Sequence, residues 1–136
     1  MPNPTNCDIQ VQVNPVGLTQ DNVITNVILS DSLRDGDDQP SNSSTFHTKV
    51  NGSTGITWNP VSSDPSTTVN ITNIVVTSSV DVFQPDPSAP NGLWTARVKP
   101  NPSQSPILSE YTIYFQLNSQ GTTYHLDPKM EVNPNT

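Results

Sequence analysis

Short runs in which apolar and polar residues alternate recur along the whole chain. The alternation is clearest in residues 111–132, where YTIYFQL and TYHLDPKMEV flank the turn-like segment NSQGT. Successive side chains of a strand point to opposite faces, so a period of two predicts a strand with one buried face. Further runs of this kind lie at 9–13, 23–29, 46–50, 56–58, 69–76 and 93–98. Together they predict about eight strands, many of them spaced as in a sandwich or barrel.

Helical signals are almost absent from the chain. No stretch keeps apolar residues at the i, i+3, i+4, i+7 spacing for three turns, and 14 prolines are spread along the chain. We therefore predict an all-β fold, a single antiparallel β-sandwich of about eight strands with almost no helix. The length of 136 residues predicts one domain over residues 1–136.

Residue pairs that favour turns separate the predicted strands. Asp35-Gly36 and Asn51-Gly52 supply the positive φ of tight hairpins and are interpreted as hairpin turns. Three more pairs are predicted to bound strands: Asn59-Pro60, Asp64-Pro65 and Asn91-Gly92.

Two proline-rich loops, 84–92 and 99–106, bracket the predicted strand at 93–98. Proline fixes φ, so these loops lose little entropy on folding and should be stiff. A polyproline II ligand motif is the alternative, but interleaved Asn, Ser and Asp residues break its pattern into turns.

The charge balance excludes several classes of partner. Five Lys and Arg stand against twelve Asp and Glu, for a formal net charge of −7. A chain without a basic patch does not attract nucleic acid or anionic lipid, and no apolar run approaches the roughly 20 residues that span a bilayer. The N-terminal residues have no signal-peptide pattern, so we expect a cytoplasmic protein, with secretion by a non-classical route left open.

The last predicted strand has one apolar and one polar face. Its apolar positions share one parity: Tyr124, Leu126, Pro128, Met130 and Val132. Because proline in a central strand deletes a ladder hydrogen bond, Asp127-Pro128 predicts an edge, a bulge or a bend.

The ending Tyr-x-Leu-Asp-Pro-x-hydrophobic-x-Val at 124–132, together with the Gly-Ile-Thr-Trp strand at 55–58, resembles small bacterial cupredoxin-like or immunoglobulin-like domains. More narrowly, it resembles the family of bacterial inclusion-body proteins called PixA and AidA, over residues 46–134. The resemblance implies an abundant bacterial accessory protein that is made in the cytoplasm and is not an enzyme.

Metal sites have little support in the sequence. A blue-copper site needs a thiolate near the last hairpin loop, whereas Cys7 lies near the start of the first strand, so copper is not expected and Met130 is assigned to the core. Asp35, Asp37 and Asp38 form the densest acidic cluster and are a candidate calcium site. A solvated hairpin tip is the alternative.

Few residues of the chain could support catalysis or sugar binding. His47 and His125 are the two imidazoles, and neither a GxSxG nor an HExxH motif is present, so no enzyme is predicted. A sugar site needs polar loop residues and an exposed aromatic ring. Tyr114, His125 and Asn91 are the candidate ligand-binding residues, while Trp58 and Trp94 are assigned to the core.

We therefore predict a non-catalytic accessory protein without a required cofactor. It acts through protein contacts or self-assembly as a homo-oligomer, and its exposed edge strands or loops 84–106 make the contacts. The alternative is a carbohydrate-binding, lectin-like module, with calcium assistance left open.

Overall fold

The computed structural model describes residues 6–32 and 46–134, and within these residues nine strands make up most of the regular structure. The strands are β1 (Asn6–Val13), β2 (Val27–Asp31), β3 (His47–Val50), β4 (Gly55–Ser62), β5 (Val69–Val76), β6 (Trp94–Arg97), β7 (Ile107–Leu117), β8 (Gln120–Leu126) and β9 (Lys129–Val132). A 3₁₀ turn (Gln20–Asn22) and the one-turn helix α1 (Val23–Asn26) precede β2.

The strands form two sheets with a shared core. The first sheet has the order β2-β1-β4-β6, and the second has the order β3-β9-β7-β5, with β8 also paired to β7. The long strand β7 bonds on one side to β9 and then β8, and on the other side to β5. The predicted all-β sandwich with almost no helix is confirmed.

The prediction of a wholly antiparallel sandwich is wrong for two strand pairs. β1 pairs with β4 in parallel, and β3 pairs with β9 in parallel. The chain changes sheets between β3 and β4, so strands distant in sequence become neighbours. A period of two marks a half-buried strand of either direction, and the pattern therefore did not distinguish them.

The core is built on strict alternation and an aromatic cluster. In β1, exposed and buried residues alternate along all eight positions. Trp58, Phe83 and Tyr111 meet edge to face at centroid distances of 5.7–6.0 Å. The indole Nε1 of Trp58 donates to the Tyr111 hydroxyl at 3.3 Å, and burial raises the pKa of that phenol, so it stays neutral. The assignment of Trp58 to the core is confirmed.

The closing hairpin is tighter than predicted. Asn118 and Ser119 have φ values of 54° and 57°, as in a two-residue type I′ turn, and Leu117 pairs with Gln120. Pro128 is buried between β8 and β9, where the chain breaks from one strand into the next. The bend expected at Asp127-Pro128 is confirmed.

Two local predictions need correction in the first half of the chain. The strand expected from residue 23 begins only at Val27, because residues 20–26 form the 3₁₀ turn and α1. Asn59-Pro60 lies inside β4 and does not end it. Since β6 pairs only with residues 55–58 of β4, Pro60 lies where one side of β4 has no β6 partner, and its missing N–H breaks no bond to β6.

Asn51-Gly52 is not a hairpin turn, because it joins β3 in the second sheet to β4 in the first. Glycine is required there by close packing. A Cβ at Gly52 would lie 2.7 Å from the Cα of Pro100, so the proline-rich loop 99–106 packs directly against this backbone.

Candidate functional site

The second sheet brings two of the predicted ligand residues together. Tyr114 on β7 and His125 on β8 are cross-strand partners, and their ring centroids lie 6.0 Å apart. His125 is exposed and Tyr114 is half-buried, so the pair presents one imidazole and one phenol on the outer face of this sheet.

The other predicted site residues do not join this pair. Asn91 is exposed in the loop before β6, and no hydrogen bond or ring contact among the described residues links it to Tyr114 or His125. Asp35, Asp37 and Asp38 lie outside the described residues. Within residues 6–32 and 46–134, no three His, Cys, Asp or Glu side chains are grouped as a metal site would need.

Several polar contacts lie at strand edges, because a free edge presents unpaired N–H and C=O groups. At the edge of β8, the Gln20 amide bonds to the backbone of His125, donating to its carbonyl at 3.1 Å and accepting from its N–H at 3.0 Å. Tyr124 adds a hydroxyl bond to the carbonyl of Leu18 at 3.2 Å. The segment before α1 therefore covers β8.

The proline-rich loop 84–92 covers the edge of β6. Ser88 and Thr95 exchange two backbone hydrogen bonds of 2.9 and 3.0 Å, and the Gln84 N–H donates to the Arg97 carbonyl at 2.7 Å. These bonds hold the loop against β6 like a short extra strand.

The edge of β5 is covered over only part of its length. At Ile71 the carbonyl accepts a hydrogen bond of 2.9 Å from the indole of Trp94. At Ile74 the N–H donates to the side chain of Asn73 at 3.0 Å. Trp94 thus lies at the boundary of the core, between the edge strands of the two sheets.

Beyond this point, residues 74–76 form an open stretch of the β5 edge. The Thr77 N–H donates to Glu110 on β7, so the backbone of alternate residues, Ile74 and Val76, points away from β7. No described residue bonds to the Ile74 carbonyl or to the N–H and carbonyl of Val76.

A groove of about 270 Å³ runs along this open edge. Its lining consists of the strand on one side and the loop after β5 on the other: Ile74, Val75, Val76, Asp81, Asp86 and Pro87. The side chain of Val75 is 39% exposed. We call this feature the β5 groove.

Two acidic residues, Asp81 and Asp86, line the wall of the β5 groove. Hydrogen bonding to Asp81 is the main cause that raises the pKa of Asp86, with smaller contributions from partial desolvation and charge repulsion, against an opposing attraction from Lys99. The Phe83 N–H donates to the Asp81 carboxylate at 2.9 Å and holds it in place. The wall therefore concentrates negative charge beside the open edge.

Sequence reasoning did not identify the β5 groove. The run at 69–76 predicted a strand but not its position at the edge of a sheet, which depends on β7, about 40 residues later. Asp81 and Asp86 carry no metal-ligand spacing, and the proline-rich loop was the one available signal.

Comparisons with known proteins place the fold. The chain is similar to the crystal structure of the inclusion body protein PixA from Burkholderia cenocepacia, with a TM-score of 0.66 and 11% sequence identity. The match covers 98% of this chain and 97% of that one, so the predicted resemblance is confirmed for the fold and extends well beyond residues 46–134. No curated protein matches the sequence.

No helix formed by the described residues is long and apolar enough to cross a membrane. At the level of sequence, residues 5–124 match a family described as a domain of unknown function, DUF8788. The chain belongs to this family.

Proposed function

We propose that this protein is a non-catalytic protein-contact module that accepts an extended segment of a partner protein at the β5 groove. The observation that carries the proposal is the open edge at residues 74–76. In contrast, the edges of β6 and β8 are covered by other parts of the chain through hydrogen bonds. Strand addition at a free sheet edge is a common mode of peptide recognition.

The open edge offers three backbone groups to a partner, since the Ile74 N–H is already bonded to the Asn73 side chain. A partner strand would pair with the Ile74 carbonyl and with the N–H and carbonyl of Val76. Each such bond contributes about 1 kcal/mol net, so this strand addition is weak and reversible. The exposed side chain of Val75 adds apolar contact on the outer face of the sheet.

The wall opposite β5 is rigid enough to form one side of a binding groove. The Lys99 N–H donates to the Val82 carbonyl at 2.7 Å, and the bond between Gln84 and Arg97 fixes the next turn of the loop. A preorganised wall loses little entropy when a ligand binds, which favours recognition by a shallow groove.

A non-catalytic role agrees with the fold comparison, in which the similar solved structure is named an inclusion body protein. The homo-oligomer expected from the sequence stays a prediction. Two copies with a charge of −7 each repel at neutral pH, which favours a different protein as the occupant of the β5 groove.

A neutral peptide that forms strands, acetyl-Thr-Val-Thr-Val-Thr-amide, tests the proposal by NMR titration of the labelled protein. We expect saturable shifts that are confined to residues 74–76 and the facing loop. Val76→Pro removes the outward N–H of residue 76 without breaking a bond to β7, and should abolish binding in a protein that keeps its dispersed spectrum. An absence of shifts, or shifts centred on another strand, contradicts the proposal.

A further inference from the structure

The carboxyl pair in the wall of the β5 groove has no counterpart in the other edge covers. At β8 the cover is a neutral amide, Gln20, and at Ile71 it is the indole of Trp94. At the open stretch the facing side chains are instead two acids, Asp81 and Asp86. This difference in charge between the edge covers should determine which peptide side chains the β5 groove accepts.

We infer that the β5 groove selects extended segments that carry a lysine or arginine at the position facing Asp81 and Asp86. This inference rests on the proposed strand addition and names the chemistry of its partner. The partner's backbone pairs with β5, while its cationic side chain crosses the groove to the two carboxylates.

Charge complementarity supports a cationic partner over a neutral or anionic one. Two neighbouring carboxylates repel each other when both are ionised, and their proximity raises the pKa of Asp86. A cation between them removes that repulsion, and a guanidinium can bond to both groups at once. An acidic segment would meet like charge at the wall and across the whole molecule.

A metal ion is a weaker occupant than a cationic side chain. Among the described residues no third acid, cysteine or histidine joins Asp81 and Asp86, whereas calcium takes about six to eight oxygen ligands. The adjacent N–H of Val76, to which no described residue bonds, can pair with the carbonyl of a polypeptide but not with a metal ion.

The test compares three peptides that differ at one central residue: acetyl-Thr-Val-X-Val-Thr-amide with X as lysine, glutamine or glutamate. We expect the lysine peptide to bind about tenfold more tightly than the glutamine peptide, and the glutamate peptide to bind more weakly still. The preference should shrink as ionic strength rises. Asp81→Asn combined with Asp86→Asn should bring the lysine and glutamine peptides to equal affinity.

A second variant places the cation in the protein itself. Val75→Lys puts an ammonium in the same groove and should weaken binding of the lysine peptide. Ile28→Lys is the matched control, because Ile28 is 38% exposed on the other sheet, close to the 39% of Val75. Equal binding of all three peptides overturns the charge selectivity and leaves strand addition intact, whereas binding of none overturns both.

Discussion

The side chain of Gln20 makes two hydrogen bonds with the backbone of His125, 105 residues away in sequence, and so occupies the place of a neighbouring strand. Gln20→Ala should free the edge of β8 at this point. We expect a loss of about 1–3 kcal/mol in the free energy of unfolding and faster hydrogen exchange of the His125 amide.

Gln116→Ala is the control for this change. The Gln116 side chain donates to the carbonyl of Gly121 at 3.1 Å, and Gln116 lies on the same sheet. Its removal should leave the exchange of the His125 amide unchanged. If exchange at His125 is equally slow with and without Gln20, the side chain is not the cover that protects this edge.

Two buried threonines of the second sheet should respond in opposite directions to replacement by valine. Thr48 Oγ1 is buried, and no residue within 6–32 or 46–134 bonds to it, so Thr48→Val should raise the free energy of unfolding by about 1 kcal/mol. Thr112 donates to the Asp127 carboxylate at 2.5 Å, so Thr112→Val should lower it by about 1.5–3 kcal/mol. Urea denaturation measures both, and a loss at Thr48 equal to that at Thr112 would refute the distinction.

In the turn between β7 and β8, Ser119 adopts an unfavourable backbone conformation. A non-glycine residue at φ 57° is unfavourable, and Ser119→Gly should stabilise the protein by about 0.5 kcal/mol after the entropy of glycine is subtracted. Gly121→Ala is the reciprocal test. With φ at 76° and open space around its Cβ position, alanine there should lower stability by about 1–2 kcal/mol through backbone strain alone. Thermal unfolding should therefore shift upward for the first variant and downward for the second.

The pair in the β5 groove predicts a pH dependence. The folded-state pKa of Asp86 lies above its ordinary value of 3.8, so the folded protein binds the proton more tightly than the unfolded chain does. The stability from this group is therefore greatest below the ordinary pKa and declines as pH rises through the folded value. Asp81→Asn should remove most of the rise and flatten this slope. Carboxyl NMR titration of Asp86 measures the shift, and an unchanged titration in the variant would show that Asp81 is not its cause.

The sequence was sufficient to predict those features of the fold that depend only on neighbouring residues. The alternation at 9–13 and 111–132 predicted which side chains face the core, including Tyr111 and Met130. Asp127-Pro128 marked its bend because proline lacks the donor that a ladder needs. In each case the physical cause lies within a few residues of its effect.

Features that depend on distant partners were not predictable in the same way. The parallel pairing of β1 with β4 needs two segments about 50 residues apart to meet, and neither carries a mark of strand direction. The run at 23–29 alternates like a strand, yet the Asn22 side chain accepts a hydrogen bond from the Thr19 N–H and holds a 3₁₀ turn, which continues into α1 over residues 23–26. The β5 groove could not be predicted from the sequence for the same reason. A strand lies at the edge of a sheet when no other strand pairs with its outer side, and this depends on the whole fold.

The amide of Val76 gives the most direct test of strand addition. In the free protein its N–H points away from β7 and bonds to no residue that the structure describes, whereas the N–H of Val75 pairs with Thr112. Hydrogen exchange, measured with and without the strand-forming peptide acetyl-Thr-Val-Thr-Val-Thr-amide, reports on the Val76 and Val75 amides separately. We predict slowed exchange and a downfield shift of the Val76 amide proton at saturating peptide, with Val75 nearly unchanged. Exchange at Val76 that stays as fast in the saturated complex as in the free protein would contradict the account.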